Sequence, residues 1–216
     1  MRKMKSCLWM VLLAALAACG GKKAEMADTS WYFNGDFVYF ADAASLKDCA
    51  TGAVLPIAMK GDYKALEKAY LAMNPDEKES INCELKGYLI DKPANEEGLE
   101  KQLVVTSLIG FDRTVGCSET FLTQNVYAAY ITPDAKPEQK TSLTLDANYT
   151  FQSSTYQLSP IELTDQANGT WHRTADEKII LLVGDSILYE GSINTAQHSL
   201  LLTKRSDGKE TLFQGE

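Results

Sequence analysis

From Phe121 to the C-terminus the chain carries no helical period, and this restricts its fold more than any other feature. Short β-prone or alternating runs, at 142–145, 149–152, 169–173, 179–183, 187–189, 200–204 and 211–214, recur between turn signals. The turn signals fall at 146–148, at Asn168 and Gly169, at Gly184 and Asp185, at Asn194 and at 206–208. Strands this short cannot bury a face alone, so each must pair with the next run along the chain. Residues 119–216 are therefore expected to form an antiparallel meander that closes into a barrel or half-barrel.

The first half mixes periods. Residues 31–40 are aromatic and β-prone, with Asn34 and Gly35 as a candidate turn; 54–59 is apolar; 81–90 and 103–109 read as strands around the polar loop 91–98. Between them Tyr63, Leu66, Ala69, Tyr70 and Met73 recur at three and four residues, Glu67 and Lys68 face the other way, and Asn74 and Pro75 end the run. One helix with a single apolar stripe is expected to cover an end of a small barrel spanning 30–118. Each unit is large enough for one modest core.

Ahead of both lie Arg2, Lys3 and Lys5 and then an uncharged apolar run over 7–18. That is the length of a secretory core and falls short of the roughly 20 residues of a spanning helix, so 1–18 is read as a signal peptide and 19–29 as a polar tether. Leu16, Ala17 and Ala18 lead directly into Cys19, followed by Gly20 and Gly21. This resembles the lipobox of bacterial lipoproteins, which implies a diacylglyceryl group on the Cys19 thiol and membrane attachment through its acyl chains. Two or three chains anchor stably where one gives marginal binding. The resemblance to enterobacterial lipoproteins, in which Asp after the lipidated Cys signals retention, implies the outer membrane for a chain with Gly at position 20. Loss of the basic leader moves the formal charge from −8 to near −11. A chain so acidic, whose clearest basic pair is Lys22 and Lys23, is a poor partner for nucleic acid.

With Cys7 in the leader and Cys19 lipidated, the folded part holds Cys49, Cys83 and Cys117. In an oxidising compartment two of the three are expected to pair, and three pairings are open. Cys83 alternates with Ile81 and Leu85 and points into a core, where a thiol is inert. Cys49 and Cys117 sit in turn-like surroundings beside Gly52 and Gly116, so the bridge is assigned to Cys49 and Cys117.

No set of residues carries catalysis convincingly, and no catalytic residue, metal site or cofactor is expected. Gly184, Asp185, Ser186 and Ile187 follow an apolar run and look like the first block of GDSL-type esterases. That mechanism needs a helix behind the Ser and an Asp three residues before its His, and Thr195 stands at that offset from His198. A hairpin turn accounts for the motif. His172 and His198 lack a Cys pair, and His172, beside Trp171 and Arg173, reads as an exposed or hydrogen-bonded face residue. Glu96 with Glu97, and Asp76 with Glu77 and Glu79, read as solvated charge, and Asn148 and Asn168 as turn residues.

Tyr39 to Ala44, then Asp48, Cys49, Ala50, Thr51 and Gly52, then Leu66 to Ala72 and Leu85 to Leu89 resemble, in order, the C-terminal OB-like domain of the NlpE family of outer-membrane lipoproteins. Cys117 stands where that domain's last cysteine stands, and the family pairs those two cysteines. More faintly, Tyr127, 141–146, 149–151 and 169–171 resemble the family's other domain, a calycin-like half-barrel, but the domain order is swapped. The Cys-X-X-Cys of that domain would fall on Pro133 and Lys136, so its metal or redox role does not carry over. The fold class expected is mainly β: an OB-like barrel with one α-helix, followed by a calycin-like half-barrel or meander. The resemblance implies a non-enzymatic, outer-membrane-anchored lipoprotein acting in protein binding, adhesion or envelope-stress signalling, with a periplasmic partner such as the Cpx sensor kinase. The alternative is a carrier of a small apolar ligand, or an enzyme inhibitor, using the C-terminal barrel.

Overall fold

The computed structural model describes residues 30–93, 100–117, 122–124, 126–131 and 138–216. The leader, Cys19 and the tether, Glu96 and Glu97, and Pro133 and Lys136 lie outside the described residues. Among the described residues no helix is long and apolar enough to cross a membrane.

The first unit contains β1 (Trp31–Phe40), β2 (Ala43–Asp48), β3 (Val54–Pro56), α1 (Tyr63–Ala72), β4 (Ile81–Asp91) and β5 (Lys101–Asp112). β1 pairs antiparallel with β2 and β4, β2 with β3 and β4 with β5. A parallel bridge from Ile57 to Leu103 brings the end of β3 against β5. The circuit β1-β2-β3-β5-β4-β1, with a helix between β3 and β4, is that of an OB barrel. Phe33 and Phe37 face inward from β1, and Ile81, Cys83 and Leu85 from β4. Tyr63, Leu66 and Tyr70 are the buried stripe of α1, and Tyr70 meets Phe37 and Phe111 edge-on or tilted.

The second unit begins after a single 3-10 turn (Leu122–Gln124) and runs β6 (Val126–Ile131), β7 (Gln139–Leu145), β8 (Thr150–Leu158), β9 (Ile161–Arg173), β10 (Lys178–Val183), β11 (Ser186–Asn194), β12 (Ser199–Lys204) and β13 (Glu210–Gly215). Each strand pairs antiparallel with the next. β13 then returns to β6 through Gln214 with Ala128 and Gly215 with Tyr127. The sheet is thus a closed eight-stranded up-and-down barrel, the closed form of the expected antiparallel meander. Closure removes the sheet edges an open meander would expose. Tyr127, Leu143, Phe151, Trp171, Leu181, Leu202 and Phe213 point inward and are almost wholly buried.

Two glycines expected to mark turns lie inside strands. A β-carbon on Gly35 would stand 2.5 Å from the Lys47 carbonyl oxygen, and one on Gly169 would stand 1.8 Å from that of Leu182. Both positions need Gly because a neighbouring backbone passes there, not because the chain reverses. The same misreading shortened β9, whose hairpin with β8 turns at Ser159 and Pro160.

The barrels touch through one sheet pairing, Tyr32 with Arg173, and through rings. Trp31 stacks on His172 at 4.0 Å and 7°, Phe33 meets Tyr149 edge-on at 5.6 Å, and Tyr149 stacks on Trp171 at 5.1 Å. The apolar core is continuous from one barrel to the other.

Candidate functional site: the bridged loop and the groove beside it

β2 ends at Asp48, a buried carboxylate that organises the loop after it. It accepts hydrogen bonds from the Ala50 N–H (3.1 Å), the Thr51 N–H (2.8 Å) and the Thr51 hydroxyl (2.8 Å). The Cys49 N–H donates to the Asn34 carbonyl at 2.8 Å, and the Gly52 N–H to the Asp48 carbonyl. This is the physical content of the Asp-Cys-Ala-Thr-Gly block: the acid closes the turn, and the turn aims Cys49 outward.

Cys49 is joined to Cys117 by a disulfide, with Cα atoms 4.8 Å apart. Cys117 ends the segment that leaves β5, so the bond straps that segment across the outer face of β1. Cys83 is free and buried, and burial pushes its thiol up to about 12, which keeps it protonated and unreactive.

Asp36, Asn34 and Asn82 surround the bridge. Asn34 Nδ2 donates to Asn82 Oδ1 (2.9 Å), and Asn82 Nδ2 donates to Asp36 Oδ1 (3.0 Å) and lies 3.6 Å from Cys49 Sγ. The Cys117 N–H points at the Asp36 carboxylate at 3.3 and 3.4 Å. Asp36 and Asn82 carry no signal in the sequence, and Asn34, expected in a turn, lies within β1. Asn82 lies 46 residues beyond Asp36 in the chain, and only the pairing of Asp36 with Asn82 across β1 and β4 brings it to them.

A polar groove of about 450 Å³ runs from this cluster to the inter-barrel junction, with Tyr32, Asn82, Glu84, Gly116, Arg173 and Glu177 among its walls. Burial, then the Glu84 carboxylate, raises the Tyr32 hydroxyl pKa. The other side of the bridged loop faces the second barrel. The Leu122 N–H donates to the Ala50 carbonyl (2.8 Å) and the Thr123 hydroxyl to that of Thr51 (3.3 Å). Asp48 itself lies next to the buried Tyr149 hydroxyl, and its pKa is raised by burial against the lowering effect of its Thr51 hydrogen bonds.

The remaining candidates fall elsewhere. Gly184 and Asp185 form the turn from β10 to β11, and Ser186 opens a strand rather than a helix. His172 is half-buried: it is stacked on Trp31, its Nδ1 has no partner among the described residues, and burial lowers its pKa to about 4. Asn148 does sit in a turn, accepting from the Thr150 N–H and hydroxyl, whereas Asn168 lies within β9. Rings fill the second barrel's interior, and the cleft between Leu188, Tyr189 and the Asp165–Lys204 pair offers about 10 Å³.

An OB barrel strapped by a disulfide and fused to a closed meander barrel is an all-β architecture whose function resides in the sites placed on it. Comparison with family models is specific on the first unit: residues 27–118 match the NlpE C-terminal OB domain. Neither a curated protein nor a solved structure gives a match.

Proposed function

We propose that this protein is a lipid-anchored, non-enzymatic outer-membrane lipoprotein that binds a periplasmic protein partner and reports on envelope oxidation. The observation that carries the reading is the NlpE-type OB domain whose Cys49–Cys117 bond closes onto the loop that also contacts the second barrel. When oxidising capacity fails, the newly exported chain lacks this bond. The 113–117 segment then loses its covalent hold on the loop after β2, and the Asp48 loop loses the constraint that sets its contacts with Leu122, Thr123 and Tyr149. A change at the bridge thereby alters the groove and the junction together, which is how a small oxidation event becomes a change in a protein-contact surface. Cys19 supplies the tether that keeps the barrels near the membrane.

The test is crosslinking in intact cells of the lipidated protein and of the Cys49→Ser/Cys117→Ser variant, followed by identification of the captured proteins. The reading expects a defined envelope partner whose capture changes at least severalfold when the bridge is removed. Identical partners and yields for both forms would show that the bond has no signalling role.

A further inference from the structure

The bridge is also a latent set of ligands. One carboxylate oxygen of Asp36 and the sulfurs of Cys49 and Cys117 all lie within 4.8 Å of one another, and all three residues are half-buried. A tetrahedral zinc ion with sulfur at about 2.3 Å and carboxylate oxygen at about 2.0–2.2 Å needs ligand atoms roughly 3.5–3.8 Å apart. Once the S–S bond is open, small side-chain rotations bring the three atoms to that spacing. A second layer is already in place. Asn82, fixed by Asn34, directs its N–H groups toward the Asp36 carboxylate and the Cys49 sulfur, and the Cys117 N–H points at the same carboxylate. Donors aimed at a carboxylate and a sulfur suit the anionic forms those groups take as metal ligands.

We propose that the reduced protein binds one zinc ion through Cys49 Sγ, Cys117 Sγ and Asp36, with the fourth position open to the groove and filled by water. A dithiol reductant supplies two electrons and two protons to break the S–S bond and is itself oxidised to a disulfide. Zinc then displaces both thiol protons to solvent, forming two Zn–S bonds and one Zn–O bond. Zinc fits this mixed sulfur and oxygen set and, being redox-inert, does not reoxidise the thiolates as a copper(II) ion would. The ion would hold the 113–117 segment against β1 after reduction, so the site separates a reduced, zinc-loaded state from a reduced, empty one. The inference rests on the redox reading above for its role in the cell. The binding itself depends on the geometry alone.

The probe is zinc itself, with cobalt(II) as its spectroscopic substitute, added to the full chain reduced by a phosphine and kept without oxygen. The proposal expects one cobalt ion per reduced chain, a thiolate-to-cobalt charge-transfer band that zinc abolishes, and no such band in the oxidised chain. Cys49→Ser/Cys117→Ser should remove the band. Asp36→Asn, which keeps the size and an acceptor but not the charge, should weaken zinc binding at least tenfold while the band persists. Zinc binding unchanged by Asp36→Asn, a band that survives loss of the cysteine pair, or no binding at micromolar zinc to the reduced chain would each overturn it. The crosslinking comparison uses no zinc, so the two readings fail separately.

Discussion

The two barrels solve the same closure problem by different means. The OB unit has five strands, a short parallel contact at Ile57 and Leu103, a helix packed over its interior and a covalent strap over its outer face. The meander unit has eight strands, closes by backbone hydrogen bonds through β13 and β6, and fills its interior with large rings. A five-stranded barrel leaves ends that its own strands cannot cover, so other parts of the chain are recruited to cover them. An eight-stranded barrel is just wide enough for its inward side chains to fill it. Stability that rests on a strap responds to redox conditions, whereas stability that rests on packing does not. The oxidation-sensitive element therefore belongs to the OB unit.

That contrast can be broken from the packing side first. Trp171 is wholly buried, stacks on Tyr149 and donates through Nε1 to the Asp146 carbonyl at 3.0 Å. Trp171→Ala should cost about 3–5 kcal/mol, and hydrogen exchange should show the loss in β6–β13 before β1–β5. Equal loss of protection in both would mean that the barrels unfold as one. On the strap side, the bond closes a loop with a sequence separation of 68, and Cys49→Ser/Cys117→Ser should destabilise by about 4 kcal/mol less any native strain. Melting should fall and exchange should rise around β1, β2 and 113–117. A melting temperature unchanged by the double substitution would remove the strap from the account of stability.

The smallest effect is expected at the junction. The folded protein holds His172 neutral down to about pH 4 against an ordinary value of 6.5, because burial on Trp31 opposes its charge. Its contribution is full above pH 6.5 and is lost as the pH falls through 4, since the unfolded chain takes up the proton first. The size is at most about 3 kcal/mol. His172→Phe keeps the ring stack and should flatten the decline in melting temperature between pH 6.5 and 4. An equally steep decline in the variant would assign the acid sensitivity to other groups.

Much of the strand order was legible because alternation and tight turns are local properties. The exceptions share a cause. β2, built from Ala43 to Asp48, has little β-prone composition and becomes a strand because β1 and β3 flank it. β6, Val126–Ile131, is a six-residue run without alternation, and it becomes the strand that closes the barrel because β13 and β7 flank it. Gly35 and Gly169 carry the same letter as a turn glycine but answer to a carbonyl on another strand. At the site, the cysteine pair could be named from residue types and their surroundings. Asp36, Asn34 and Asn82 could not, because nothing in a strand's own sequence states which residue of its neighbour stands opposite.

The sequence by itself determined that this chain is mainly β, with one helix in the first unit, a buried Cys83 and an NlpE-type OB domain around Cys49 and Cys117. These follow from periodicity, composition and motif order, which are properties of neighbouring residues. Tertiary structure alone decided that the second sheet closes completely, that His172 stacks on Trp31, and that a carboxylate and two asparagines gather around the disulfide. Each depends on register between strands far apart in the chain, and register is set by how the two cores pack.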